Sequence, residues 1–200
     1  MAKLHDTPSA HILKRREYDG PAFLKQGFRP FFLGAGIWSM IAMNVWLSFL
    51  LFGDAEVFFS YLSPLEWHIH EMLFGFLPAA IAGILLTAVP NWTGRLPVRG
   101  WPLLGLALIW LAGRIAVLFS GLVPQSYYLG IAAIDCLFLL SFAALLAREI
   151  IAGSNWKNVP VVAVADALAA SNIVFHLATL EIVSNITNSD VVLAATLLTV

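Results

Sequence analysis

Five apolar runs, at residues 31–52, 72–89, 101–119, 127–147 and 159–180, constrain what this 200-residue chain can become. Each is close to the roughly 20 residues that span a hydrocarbon core about 30 Å thick. A sixth run opens at residue 191 and continues to the last residue, 200. Lipid offers no partner for backbone N–H and C=O groups, so membrane-spanning runs fold as helices or closed barrels. The period-two alternation of a membrane barrel is absent. The expected fold is all-α: a polytopic transmembrane helical bundle with five full spans and a truncated sixth. Composition agrees, with 60% hydrophobic residues, 12% charged residues and a mean hydropathy of +0.85. Soluble domains average about 45–50% apolar and about 25% charged. Too few charges remain to coat a water-facing surface, which excludes a soluble single-core enzyme and a disordered chain.

The formal net charge of -1 provides no basic face of the kind nucleic acid selects. The single Cys136 excludes an intrachain disulfide framework and a multi-cysteine metal cluster. The first 30 residues are polar and basic, without the short apolar core and cleavage site of a secretory signal. They read as a cytoplasmic tail, 1–30, ahead of a transmembrane helical domain, 31–200. Placement of Lys and Arg sets the orientation. Lys3, Lys14, Arg15, Arg16, Lys25 and Arg29 precede the first run, Arg95 and Arg99 separate the second from the third, and Arg148 and Lys157 separate the fourth from the fifth. The opposite loops carry Asp54, Glu56, Glu66, Glu181 and Asp190 but no Lys or Arg. The N-terminus is therefore expected inside, with Arg15 and Arg16 also placed to meet anionic lipid. The last run has no closing loop, so the chain reads as the N-terminal part of a longer protein. Trp67, Trp92 and Trp101 fall near expected interfaces, where aromatic belts anchor spans. His5 and His11 read as solvated. The Asn185-Ile186-Thr187 sequon matters only in a eukaryotic secretory setting, which nothing else supports.

The segment Ser63-Pro64-Leu65-Glu66-Trp67-His68-Ile69-His70-Glu71-Met72 is the richest in chemistry. Ser63 and Glu66 fit a capping box, with Pro64 at the first helical position. The second helix is thus expected to start near residue 64, placing His68 and His70 in its first two turns at the outer interface. On a regular helix the two histidines point about 200° apart. Gly75, Ala79, Gly83 and Thr87 recur every four residues, a spacing that lets helices approach closely in lipid. His68 lies about 20° from Gly75 and Glu71 about 40° on its other side, so both are expected on the packed face, with His70 pointing elsewhere. The zinc-protease motif is excluded, because its second histidine is missing. Pro78 is expected to bend this helix and free the carbonyl of Phe74.

His176 sits near the outer end of the fifth run, at a depth similar to His68, with Asn172 one turn below. Imidazoles from two helices can ligate haem iron from both sides or contribute to a copper site. The bland alternative for each is a local hydrogen bond or a wet interface. Arg114 and Asp135 differ in depth by only about 5 Å. A charge at a helix centre costs about 2.5–3.5 kcal/mol to insert, so the two should seek each other as a structural ion pair. The functional alternatives are a haem propionate partner for Arg114 and a proton path through Asp135. Asp166 is expected near the inner end of the fifth helix.

Two stretches carry a resemblance. Gly27-Phe28-Arg29-Pro30-Phe31-Phe32-Leu33-Gly34 leads into the first run. Trp67-His68-Ile69-His70-Glu71-Met72-Leu73-Phe74-Gly75 leads into the second, which ends Thr87-Ala88-Val89-Pro90-Asn91-Trp92-Thr93-Gly94-Arg95. Together they resemble the NnrS family of bacterial membrane proteins. The resemblance implies an inner-membrane protein of about a dozen helices, roughly twice this length, that contains haem, of b type, and copper. It also implies a role in the response to nitric oxide, or protection from it, during denitrification or nitrosative stress. His68, His70 and Glu71 lie inside the matched motif and are the candidates it carries over. The full candidate set is therefore His68, His70 and His176 as metal ligands, Arg114 as a cofactor contact or ion-pair partner of Asp135, and Glu71 beside them. The competing readings are a transporter or channel without redox metal and a structural membrane subunit.

Overall fold

The computed structural model describes residues 18–53, 62–183, 185 and 187–199. Lys3, His5, His11, Lys14, Arg15, Arg16, Asp54, Glu56 and Ile186 of the sequon lie outside the described residues. Among the described residues the regular structure is helical, without strands. The main helices are α1, Phe28–Phe52; α2, Pro64–Thr93; α3, Trp101–Leu118; α4, Tyr128–Ala152; α5, Val159–Thr179; and α6, Asn188–Thr199. The first five, α4 and α5 together with the short turns that precede them, are long and apolar enough to cross a membrane. The chain is a multi-pass membrane protein. The 12 residues of α6 rise only about 18 Å.

Local chemistry sets the helix ends. Ser63 opens α2 with its hydroxyl accepting from the Glu66 amide, while the Glu66 carboxylate accepts from the Ser63 amide at 3.0 Å. Pro64 follows at the first helical position, where a missing N–H is harmless. Glycines in the left-handed region, Gly53 (φ 69°) and Gly94 (φ 67°), close α1 and α2. Helix α1 already begins at Phe28, inside the stretch read as a tail, and α2 runs well past both edges of its apolar run. Hydropathy marks only the part of a helix that meets hydrocarbon, and the interfacial turns add the rest.

Burial separates central from peripheral helices. Half of the most apolar window of α2 and of α4 is buried, against 17% for α1. Helix α1 packs on α2, α3 on α4, α4 on α5, and α5 on α6. The small residues of α2 work as close-approach points: a Cβ on Gly83 would lie 2.5 Å from the Phe32 ring of α1. Opposite, a Cβ on Gly27 would lie 2.4 Å from Leu86 Cβ. Between α3 and α4, a Cβ added at Gly113 would sit 2.9 Å from Asp135 Oδ1 and 3.1 Å from Asp135 Cα. Backbone cannot swing aside as a side chain can. Gly113→Ala is therefore expected to destabilise the bundle by about 1–3 kcal/mol through overpacking. Denaturant unfolding in detergent should show this loss, and an unchanged midpoint would contradict the close approach.

Candidate metal centre

The site begins with an irregularity in α2. Residues Pro64–His70 are α-helical, Glu71–Phe76 form a π segment, and the α-helix resumes at Leu77. The Leu77 amide donates to the carbonyl of Met72, five residues back. Such a segment accommodates one extra residue, and each residue of a regular helix is worth about 100° of rotation. It ends directly before Leu77-Pro78, so the widened turn precedes the proline whose ring would crowd the carbonyl of Phe74.

That rotation changes which histidine faces inward. His70 is fully buried, whereas His68 is only partly buried and stacks on Trp46 of α1, centroids 4.8 Å apart and 15° between planes. The expectation that His68 shares the packed face while His70 points elsewhere is thus reversed. The physical reason is that the wheel projection assumed 3.6 residues per turn straight through Glu71–Phe76. Glu71 faces the interior, fully buried. His68 does not meet His176; the group that converges is His70, Asp135 and His176, with one ligand atom from each within 4.8 Å of the others.

Around this group lies a connected polar network. Arg114 of α3 donates through Nη1 to Glu71 Oε2 at 2.8 Å and through Nη2 to Asp135 Oδ1 of α4. Trp38 Nε1 of α1 donates to the same Glu71 Oε2 at 2.7 Å. Glu71 Oε1 lies 3.1 Å from His70 Nδ1. On the far side, Asp135 Oδ2 accepts from Asn172 Nδ2 of α5 at 2.9 Å and lies 2.9 Å from His176 Nε2 and 3.2 Å from His70 Nε2. Asn172 Oδ1 is 3.1 Å from His70 Nε2. Trp110 Nε1 donates to the Gly75 carbonyl at 3.0 Å, within the π segment. His70, Glu71, Arg114, Asp135, Asn172 and His176 are each at most 1% exposed. By chain position the cluster lies about 5–10 Å from the helix ends at one end of the bundle.

Two accounts of this network come out unbalanced. The first is charge: among the described residues Glu71 and Asp135 contribute two negative charges and Arg114 one positive, leaving one negative charge when both imidazoles are neutral. The second is hydrogens. His70 faces three oxygens: Glu71 Oε1 from Nδ1, and Asn172 Oδ1 and Asp135 Oδ2 from Nε2. A neutral imidazole carries one N–H, so it can serve one side and presents a lone pair to the other. A cation near His70 Nε2, Asp135 Oδ2 and His176 Nε2 corrects both shortages. Two imidazole nitrogens and a carboxylate oxygen are a donor set that transition metals accept. This buried His/Asp/His group could hold a metal ion.

A porphyrin does not fit between the same residues. The His70 and His176 ring centroids are 4.9 Å apart, and both rings lie within hydrogen-bond reach of one carboxylate oxygen. Phe74 and Phe175 pack against His70 at 5.4 and 5.2 Å. Both Nη groups of Arg114 are engaged by carboxylates, while its Nε makes no hydrogen bond among the described residues. Asp166 is exposed on α5 and takes no part in the cluster. Sequence reasoning missed Trp38 and Trp110 as members, because a tryptophan in an apolar run carries no signal beyond hydrophobicity. Asn172 carried one, as a polar side chain one turn below His176.

Comparison with known proteins agrees with the motif. Residues 22–200 match the family model described as NnrS protein, most of the chain, and the chain belongs to this family. No curated protein and no solved structure matches it.

Arg114→Met removes the one cation, among the described residues, that is bonded to both Glu71 and Asp135. Leaving such charges uncompensated costs about 3–5 kcal/mol. The variant is expected to unfold at a markedly lower temperature or fail to accumulate in membranes. Wild-type thermal stability in Arg114→Met would contradict the network.

Proposed function

We propose that this NnrS-family membrane protein serves the response to nitric oxide by holding one transition-metal ion, copper, at His70, Asp135 and His176, in the bacterial inner membrane with its N-terminus inside. The observation that carries the reading is the buried cluster short of one positive charge and one hydrogen at His70. Imidazole suits copper, and the family resemblance implies copper; haem is not assigned to these residues. When bound, such an ion supplies a place for a small diatomic ligand to bind and exchange an electron.

The chain's own residues prepare that place. Glu71 accepts the Nδ1 proton of His70, fixing the tautomer that turns the Nε2 lone pair toward Asp135 and His176. A carboxylate behind a ligating histidine is a common second layer in metal sites, and its loss costs about 10–100-fold in affinity or activity. Arg114 bridges Glu71 and Asp135 through its two Nη groups while neutralising one of them. Asn172 donates to Asp135 Oδ2 and Trp38 to Glu71 Oε2, so neither carboxylate depends on water. Burial excludes competing solvent ligands.

The test is metal counting on the full protein in lipid nanodiscs after loading with copper and exhaustive dialysis. About one ion per chain is expected, with affinity at least about tenfold weaker in His70→Ala and in His176→Ala and unchanged in His68→Ala. Glu71→Gln should retain the ion about 10–100-fold less tightly. Equal copper in wild type and both histidine variants would overturn the assignment. Nitric oxide should alter the electron paramagnetic resonance signal of the loaded wild type and leave that of His176→Ala unaffected. Transport without a redox metal draws on the same line of titratable groups, Glu71, His70, Asp135 and His176. Metal-independent solute or proton flux in proteoliposomes would favour it.

A further inference from the structure

The three helices that supply His70, Asp135 and His176 also line an apolar cavity further along the bundle. Helices α2 and α5 both pack on α4. Between the three lies a cavity of about 200 Å³. Its inner walls are Pro78 of α2, Leu139 and Phe142 of α4, and Ala165 and Leu168 of α5, all buried. Its rim is formed by Ile81 and Leu85 of α2 with Val161 and Val164 of α5, which are partly exposed, Val164 at 39%.

Helix register sets the cavity directly beyond the polar cluster. On α4, Leu139 follows Asp135 by four residues, and on α5, Leu168 precedes Asn172 by four. Four residues of a regular helix rise about 6 Å and return to nearly the same face. On α2, Pro78 follows Phe74 by four residues, and the Phe74 ring packs against His70 at 5.4 Å. The cavity is therefore separated from Asp135 and Asn172 by about one helical turn.

The side chains that line the cavity are all apolar. A ligand with a polar head would bury that head there without a hydrogen-bond partner, which disfavours lipid headgroups and quinone rings. An apolar cavity of about 150 Å³ lined by aliphatic and aromatic side chains stays dry and takes up xenon. Nitric oxide is likewise small, uncharged and only weakly polar, and it dissolves in hydrocarbon better than in water. The centre requires a route of this kind, since His70, Asp135 and His176 are each at most 1% exposed.

We propose that the cavity between α2, α4 and α5 binds a small apolar gas, nitric oxide drawn from the bilayer, and delivers it to the buried centre. The gas enters across the rim of Ile81, Leu85, Val161 and Val164, and Phe74 is the ring it passes on the way to His70. Delivery rests on the reading of the cluster as a copper centre that meets nitric oxide; the gas site itself does not.

The test has two readouts on the full protein. Crystals pressurised with xenon, metal-free or copper-loaded, should show an anomalous peak inside the cavity in wild type and none there in Ala165→Phe, whose ring takes the space. No xenon in the wild-type cavity, or acyl-chain density along it, overturns the proposal. Stopped-flow mixing of copper-loaded protein with nitric oxide reads delivery. Association should be about tenfold slower in Ala165→Phe, with copper content and helical circular dichroism matching wild type. Val164→Trp obstructs the rim from an exposed position and should slow association in the same direction, which keeps the test decisive where the buried substitution fails to fold. Xenon binding together with wild-type association rates in the folded variants overturns delivery. Xenon binding in protein that takes up no copper keeps the gas site and overturns the copper reading and the delivery that rests on it.

Discussion

The Arg114 guanidinium is the contact on which the interior depends. It joins Glu71 of α2 to Asp135 of α4 from its place on α3, in a bundle whose outer surface meets lipid. None of the three charges is tolerable alone in such surroundings, and together they still fall one positive charge short. That shortage determines the rest. It draws two histidines and an asparagine from α2 and α5 toward the same carboxylate, and it makes the centre receptive to a cation. Helix geometry follows from the same requirement. Gly113 allows α3 to approach Asp135, and Gly75 leaves the space that Arg114 Nη1 fills, 2.3 Å from where a Cβ would stand.

The two ends of the molecule divide their chemistry. At one end carboxylates outnumber cations inside the bundle, surrounded by side chains that exclude water. At the other end Lys25, Arg95 and Arg99 are among the residues that line a cavity of about 530 Å³. The sequence shows these cations as a placement of Lys and Arg beside particular runs. It conceals the carboxylate excess, because Glu71, Arg114 and Asp135 lie on three different helices.

Much of the architecture was legible. Twenty-residue apolar runs translate into spanning helices because lipid allows the backbone little choice, and Ser63 with Glu66 marked the start of α2. Arg114 and Asp135 could be matched by depth, since rise per residue is nearly constant. Facing was less secure. The direction of His68 and His70 was inferred by extending a regular helix from Gly75, and the π segment at Glu71–Phe76 lies between them and that reference. A local change in hydrogen-bond register leaves no mark in composition or hydropathy. Pro78 was the nearest hint, as a residue that disturbs the preceding turn. Trp38 and Trp110 were illegible for another reason: their ring N–H groups matter only once a carboxylate and a carbonyl from another helix are opposite them.

The most direct test of a cation-deficient centre is the position of the ion itself. An anomalous difference map at the copper edge, from the copper-loaded full protein, should show one peak bounded by His70 Nε2, Asp135 Oδ2 and His176 Nε2. A peak at His68 or elsewhere, or no peak with the Glu71–Arg114–Asp135 contacts intact, would contradict the account.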